Sequence, residues 1–331
     1  MPTFDELIQE AAEAKASDLH LLPDKSPYVR SANGEISPLP HDPIKSSDLL
    51  ALLMAAIPTP DWLKAMLDHG DVDLSYHTGK VRTRINLFYT RGNVGAAIRL
   101  FRDKIPTMQS LGLPMAVQGL CKRHHGLVLF SAPTGGGKST SIASMLEAVN
   151  ATQKKRIITI EDPVEYMFDQ KQSLISQREI GKDCKSFAYG LRSALREDPD
   201  IIMIGEMRDK ETIQSAVAAA ESGHLVFSTL HSADVIEAVD RILQYFPQGE
   251  QDTMRMQFAN AFLAVVAQKL LPMRGNVGRV AAFEVLLSTE ATRNLVRTGK
   301  AYSLKSYMFP KEGMITMEQS MDELRRKGVI A

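Results

Sequence analysis

The fold is decided at residues 132–140, where the chain reads Ala132, Pro133, Thr134, Gly135, Gly136, Gly137, Lys138, Ser139 and Thr140. An apolar run at 127–130 precedes this turn, and a segment with apolar residues at 142, 145, 146 and 149 follows it. A strand, a glycine-rich turn, Lys-Ser and the first turn of a helix together form a loop that cradles phosphate groups. The stretch therefore predicts a bound nucleoside triphosphate.

Each residue type in this turn has a chemical reason to be there. Glycines leave room for backbone N–H groups, so those of residues 135–138 can wrap the β-phosphate. Lys138 is expected to reach the β- and γ-oxygens, and Ser139 to offer its hydroxyl to Mg²⁺. Ala132 departs from the pattern GxxxxGK[ST], which has glycine at that position. ATP or GTP, together with Mg²⁺, is the expected ligand.

Length and charge bound the class of protein. The chain has 331 residues, enough for two domains, and its 39 basic and 39 acidic side chains give zero net charge. That balance offers no electrostatic reason to expect nucleic acid as a partner. The apolar run at 261–267 is shorter than the roughly 20 residues of a membrane span. Without signal-peptide features or paired cysteines, the sequence predicts a cytoplasmic protein.

The first third of the chain predicts a small α+β domain over residues 1–103. Helices are expected at 4–15 and at about 46–56, because apolar residues recur there at helical spacing. Residues 81–89 alternate between apolar and polar side chains, as a strand with one buried face does, and a further strand is expected at 96–100. A segment at 103–107 containing Pro106 is interpreted as the linker.

The rest of the chain, residues 104–331, predicts an α/β domain with a C-terminal helical region. Helical segments separate short apolar strands, which are expected at 127–130, 157–160, 201–204, 225–229 and 280–285. Continuously apolar strands between helices are typical of a parallel sheet covered on both faces. Together with the phosphate loop, this pattern predicts a RecA-like nucleotide-binding domain.

Acidic residues follow two of these strands, at the sheet edge where ligands of open α/β sheets bind. Glu161, Asp162 and Glu165 come directly after 157–160, and Glu206 follows 201–204. Hydrolysis of a nucleotide needs one carboxylate near Mg²⁺ and one that orients or deprotonates the attacking water. Glu206 is the favoured candidate. Spacing does not rank the three acids of the first group, and solvated loop residues are their alternative interpretation.

Two histidines bracket the strand at 225–229. Seven residues of strand span roughly 23 Å, so His224 and His231 cannot bind one metal ion. Either could instead be a buried histidine that bonds a backbone carbonyl. The position of His231 at the carboxyl end of the strand favours it as a sensor of the γ-phosphate.

Arginines in the N-terminal domain are a further set of candidates. Arg84 and Arg99 lie on strands, where a polar face carrying arginines is usually just solvated. A RecA-like hydrolase nevertheless needs extra positive charge near the γ-phosphate. The domain with the phosphate loop shows no obvious arginine to spare for that purpose.

Motifs along nearly the whole chain resemble the secretion ATPases of type II secretion and type IV pili. The resemblance is to the pilus-retraction branch, the PilT-like proteins of twitching motility. The matching segments are 16–21, 159–166 (an acidic box), 195–209 (a Walker B segment with Gly205 in place of aspartate), 228–231 (a histidine box) and 291–300 (a C-terminal motif associated with retraction).

The resemblance implies a role for individual residues. It assigns catalysis to Glu165 as the base and to Glu206 as the Walker B carboxylate, which would hold Mg²⁺ together with Ser139. It also implies site roles for His224 and His231, and it brings Arg84 and Arg99 to the γ-phosphate.

The resemblance also implies an architecture and partners. It predicts a PAS-like N-terminal domain and a homohexamer that docks on the inner-membrane platform protein of the pilus, with paralogous pilus ATPases as possible partners. The protein would then lie in the cytoplasm, peripheral to the inner membrane. Alternatives are an assembly or type II secretion ATPase, a nucleic-acid translocase, and a nucleotide-dependent partner that does not hydrolyse.

Overall fold

The computed structural model describes residues 2–31, 34–57, 61–79, 81–101, 104–275 and 278–331. The chain divides into two compact units, Met1–Lys104 and Ile105–Ala331. Asp103, the first residue of the predicted linker, lies outside the described residues. Within the ranges given, no helix is long and apolar enough to cross a membrane.

Over its described residues, the N-terminal unit is a six-stranded antiparallel sheet with three helices. Its strands are ordered β3-β2-β1-β6-β5-β4. In chain order its elements are α1 (Phe4–Glu13), β1 (Asp18–Leu21), β2 (Tyr28–Arg30), β3 (Ile36–Pro38), α2 (Ser46–Ala56), α3 (Asp61–His69), β4 (Asp71–His77), β5 (Arg82–Thr90) and β6 (Asn93–Leu100).

Local sequence explains these elements. Thr3 and Glu6 form a capping box at the start of α1, and the apolar face of this helix is buried. In β5 the alternation places Ile85 and Leu87 in the core, whereas Arg84 lies on the more exposed face. Both predicted helices of this unit are present, and so are both predicted strands.

The C-terminal unit is a seven-stranded sheet with helices on both faces, and its strand order is β13-β12-β7-β11-β10-β8-β9. In chain order its elements are α4 (Met115–Gln118), β7 (Gly126–Ser131), α5 (Lys138–Thr152), β8 (Arg156–Glu161), β9 (Leu174–Glu179), α6 (Phe187–Ala194), β10 (Ile201–Ile204), α7 (Lys210–Glu221), β11 (Leu225–Leu230), α8 (Val235–Gln244), α9 (Gln248–Ala261), β12 (Phe262–Pro272), β13 (Arg279–Leu287), α10 (Glu290–Arg297) and α11 (Met317–Arg326).

The central strands are apolar throughout because both faces of the sheet are covered. Leu127 and Leu129 of β7 pack into one hydrophobic cluster, whereas Val128 and Phe130 pack into the cluster on the opposite face. Burying each such side chain contributes about 1.5–3 kcal/mol. The strands β7, β8, β9, β10, β11 and β12 all run parallel to one another. The carboxyl ends of β7, β8, β10 and β11 therefore meet at one edge of the sheet.

In the described part of the C-terminal unit, three strands differ from the sequence-based prediction, whereas in the N-terminal unit β1, β2, β3 and β4 were not predicted. The strand predicted at 280–285 is β13, which runs antiparallel to β12 at the sheet edge and is not part of the parallel set. The strand β12 was not predicted, because α9 ends at Ala261 and β12 begins at Phe262 with no turn residue between them. The strand β9 was missed too, since its sequence Leu-Ile-Ser-Gln-Arg-Glu is largely polar at an edge position.

Candidate nucleotide site

The phosphate loop joins β7 to the first turn of α5. Gly135 and Gly137 have left-handed backbones, with φ of 73° and 86°, and Gly137 is the N-cap of α5. Ala132 is completely buried, and a Cβ added to Gly136 would lie 2.5 Å from the Cβ of Ala132. The alanine at the first motif position is therefore accommodated, and it makes glycine obligatory at position 136.

Lys138 is a buried cation held by the loop itself. Its Nζ donates to the carbonyl oxygens of Ala132 at 2.6 Å and Pro133 at 3.3 Å, and the residue is 8% exposed. Burial lowers the pKa of Lys138, while the charges of Glu206 and Glu165 act in the opposite direction. The amino group of Lys138 is thus placed beside the backbone of the loop.

The acidic segment after β8 lies against the first turn of α5. Ser139 Oγ donates to Glu165 Oε1 at 3.1 Å, and the hydroxyls of Thr140 and Tyr166 are 2.9 Å apart. Asp162 is exposed. Of the three acids that spacing left unranked, Glu165 is the one that contacts the phosphate-loop hydroxyl.

Glu161 is buried beneath this contact. Its carboxylate accepts hydrogen bonds from Thr159 Oγ1 at 2.6 Å, from the backbone N–H of Glu165 at 3.3 Å and from Gln177 Nε2 at 3.4 Å. Burial raises the pKa of Glu161 to about 7. Its geometry is that of a support for the Glu165 segment.

Glu206 and His231 come together from neighbouring strands. Glu206 follows β10 and is 8% exposed, and its Oε2 lies 3.4 Å from Nε2 of His231, which follows β11. Burial and the positive charge of Lys138 lower the pKa of His231, while Glu206 opposes that shift. A neutral imidazole has one N–H donor and one acceptor nitrogen, so Nε2 of His231 can donate either to the Glu206 carboxylate or to a phosphate oxygen.

Arg208 is a member of this group that the sequence analysis missed. Its Nη2 lies 2.5 Å from Glu206 Oε1, although its side chain is 65% exposed. The expectation that this domain has no arginine to spare beside the site is therefore wrong. The signal was available, since Arg208 stands two positions after Glu206, but an irregular segment does not reveal the direction of its side chains.

His224 lies at the opposite end of β11. Its Nδ1 is 3.1 Å from the carbonyl oxygen of Ala219 and 3.2 Å from Ser222 Oγ, both in the segment that ends α7. Within one chain, His224 is thus not brought to Lys138 or Glu206. Its surroundings match the interpretation of a histidine that bonds a backbone carbonyl.

Arg84 and Arg99 belong to the N-terminal unit, where they are directly opposite each other on β5 and β6. Arg84 Nη2 lies 2.8 Å from Asp73, and Arg99 Nε lies 3.1 Å from Asp18. Both guanidinium groups are therefore placed on one face of the sheet with carboxylate partners.

The oxygen atoms at the phosphate loop suit Mg²⁺. Mg²⁺ prefers oxygen ligands and usually keeps several waters beside one or two protein groups and the phosphates of its nucleotide. The hydroxyl of Ser139 and the carboxylates of Glu165 and Glu206 provide such oxygens. In the part of the chain that the structure describes, no cluster of three or more His, Cys, Asp or Glu residues forms a self-contained metal site.

Comparison with known proteins identifies the family. Residues 1–328 match the model of the type II/IV secretion system protein family. The type IV pilus retraction ATPase PilT of Pseudomonas aeruginosa is 38% identical over 329 residues, which are 98% of this chain and 95% of that protein. A twitching motility protein of Neisseria gonorrhoeae is 43% identical over 264 residues, which are 79% of this chain and 71% of that protein.

A solved structure agrees with these relatives. The crystal structure of the pilus retraction motor PilT with bound ADP superposes with a TM-score of 0.92 at 43% identity, covering 100% of this chain and 95% of the other. The predicted fold class, an α/β phosphate-loop domain preceded by a smaller α+β domain, is confirmed, and so is the resemblance. The chain belongs to the type II/IV secretion system protein family.

Proposed function

We propose that this protein is an ATPase motor whose hydrolysis of ATP drives retraction of a type IV pilus. The observation that carries the proposal is the convergence of five side chains at one sheet edge. Lys138 and Ser139 begin α5, Glu165 contacts Ser139, and Glu206 lies beside His231. The similar chain whose structure holds ADP, and the relatives named for pilus retraction and twitching motility, support the same conclusion.

The proposed chemistry uses each of these groups once. Glu165 takes a proton from the attacking water, whose oxygen bonds to the γ-phosphorus as the bond to the bridging oxygen breaks, giving ADP and phosphate. Lys138 stabilises the charge that develops on the leaving oxygens. Ser139 and Glu206 would hold Mg²⁺, which supplies further positive charge to the phosphates. His231 acts as a sensor of the γ-phosphate, because it lies beside Glu206 and can contact either group.

The proposal extends to assembly. We propose a homohexamer with domains at 1–103 and 104–331, in the cytoplasm and peripheral to the inner membrane through the pilus platform protein. The resemblance at 291–300 supports docking by this segment, most of which forms α10. Leu295 and Val296 of α10 are buried, so a docking face consists of the exposed residues Asn294 and Arg297 and the half-exposed Arg293.

A deletion strain complemented with Glu206→Gln tests the proposal. The variant should bind ATP but not hydrolyse it, because an amide cannot take the part of the carboxylate near Mg²⁺. Cells with this variant should carry excess surface pili and fail to twitch, whereas the wild-type gene restores normal numbers of pili and twitching. Glu221→Gln, an exposed change on α7, is the matched control.

Other outcomes separate the alternatives. Absence of surface pili in the deletion strain would indicate an assembly or secretion ATPase. Hydrolysis that requires single-stranded DNA would indicate a translocase. Normal hydrolysis by Glu206→Gln would remove Glu206 from its proposed role.

A further inference from the structure

A buried glutamine from a distant strand holds the phosphate loop. Gln268 lies in β12, opposite Phe283 of β13, and is 4% exposed. Its Nε2 donates to the carbonyl oxygen of Gly136 at 2.8 Å, and its Oε1 accepts from Ser141 Oγ at 2.8 Å. One amide therefore joins β12 to the loop and to the first turn of α5.

The two partners fix which way the amide faces. Gly136 presents a carbonyl oxygen, which can only accept, so the NH₂ group must lie on that side. Ser141 then donates its hydroxyl to the remaining oxygen. Both contacts are buried, where an unpaired polar group would cost about 1–3 kcal/mol.

The consequence for the loop follows from peptide geometry. The carbonyl of Gly136 and the N–H of Gly137 belong to one planar trans peptide, so they point in opposite directions. A carbonyl held toward Gln268 directs the N–H of Gly137 away from β12. This N–H is one of those expected to surround the β-phosphate.

Gly137 fits this arrangement closely. Its φ of 86° is left-handed, and a Cβ added there would lie 2.7 Å from Gln268 Nε2. The backbone N–H of Ser141 also donates to the carbonyl oxygen of Gly137 at 3.1 Å. The amide of Gln268 thus packs directly under the last glycine of the loop and is anchored one helical turn further on.

We propose that Gln268 is a positioning residue of the nucleotide site, which orients the peptide between Gly136 and Gly137 so that its N–H faces the phosphates before nucleotide binds. The inference rests on the proposed nucleotide site. Such preorganisation removes an ordering cost from binding, so its loss weakens nucleotide affinity more than it slows the chemical step.

The test measures Mg·ADP binding by calorimetry and ATP turnover with the full-length chain. Gln268→Met is close in size and removes both hydrogen bonds without adding charge. We expect its dissociation constant for ADP to rise about tenfold, which is about 1.4 kcal/mol, while kcat falls less than about threefold. Gln214→Met, an exposed change on α7, should bind ADP within about twofold of wild type.

Ser141→Ala provides an independent variant, since it removes only the support of the amide. It should weaken ADP binding about threefold, and the double variant should be no weaker than Gln268→Met alone, because Ser141 acts through Gln268. All measurements are made well below the melting temperature of each variant.

Two results separate the possible failures. Binding of ADP by Gln268→Met within about twofold of wild type would overturn the proposal, and so would unchanged binding by Ser141→Ala if the first variant does not fold. Absence of ADP binding by the wild-type chain would instead overturn the proposed function.

Discussion

The parallel strands begin at one side of the sheet, the amino edge, and end at the other, the carboxyl edge. These two edges carry similar charged residues in different surroundings. At the amino edge, Lys155 lies 2.8 Å from Asp200, which also accepts the backbone N–H of Arg156 at 2.8 Å. His224 at this edge is near a backbone carbonyl. Lys155, Asp200 and His224 each contact a partner in another chain segment, and these contacts hold the segments together.

The carboxyl edge is arranged in another way. Lys138 donates to backbone carbonyl oxygens, while Glu165 accepts from a hydroxyl and Glu206 faces a histidine and an arginine. Burial of Lys138 there is unfavourable to its charge, as the direction of its pKa shift indicates. Charge at a strand end is therefore no evidence of function by itself; the informative feature is a buried cation that forms no direct bond to a carboxylate among the described residues.

The largest expected effect contrasts the two lysines. Lys138→Ala should lower ATP turnover by at least about a hundredfold, because the charge at the leaving oxygens is lost. Lys155→Ala should leave turnover within about twofold and lower the free energy of unfolding by at most about 1 kcal/mol, as a partly exposed ion pair does. Steady-state turnover and thermal unfolding measure both. A comparable loss of turnover in Lys155→Ala would mean that the amino edge also serves the reaction.

The paired arginines of the N-terminal unit test whether such pairs are only structural. The resemblance assigns Arg84 and Arg99 to the γ-phosphate, and an arginine in that role is worth about 10³–10⁵ in rate. We expect Arg84→Ala or Arg99→Ala to lower kcat by at least about a hundredfold with a much smaller change in ATP affinity.

Asp73→Asn is the matched control for Arg84, since it removes the partner carboxylate and keeps the guanidinium. It should retain most of the wild-type kcat. Equal, small effects of both substitutions would show that the pair only stabilises the fold.

Substitutions of the two histidines at the ends of β11 should differ in their effect on kcat, by a smaller factor than the substitutions above. His231→Ala should lower kcat about tenfold or more, because Glu206 loses a polar neighbour at the site. His224→Ala should change kcat less than about twofold. Equal losses, measured with the assembled protein, would indicate that His224 acts on the nucleotide of another copy of the chain.

The smallest effect concerns stability and pH. In the folded state the pKa of Glu161 is about 7, above the ordinary value for glutamate. Between these two pKa values the folded state therefore binds a proton that the unfolded state has released. The contribution of Glu161 to the free energy of unfolding is favourable at low pH and is lost as the pH rises through about 7. Glu161→Gln should therefore raise the melting temperature more at pH 8 than at pH 5. A difference that does not change between these pH values would contradict the raised pKa.

Local chemistry made much of the fold predictable. The phosphate loop, the helices α1 and α2 and the strands β7, β8, β10 and β11 are set by glycines, by caps and by apolar periodicity within a few residues. In the C-terminal unit the strands β9 and β12 were missed, because one is polar at an edge and the other follows a helix without a turn. The strand β9 pairs with β8, 18 positions earlier in the chain, and β12 pairs with β7, 135 positions earlier, so neither partner lies within a short window of sequence.

By itself, the sequence predicted a nucleotide site at residues 132–140, and it placed acidic residues and a histidine at the ends of the neighbouring strands. Only the tertiary structure placed Glu165, not Asp162, against Ser139, put Arg208 beside Glu206 and sent His224 to the far edge. The same holds for Gln268, which contacts a glycine 132 positions earlier in the chain. The physical reason is that motif chemistry is local, whereas the direction and neighbours of a side chain depend on strand order and register.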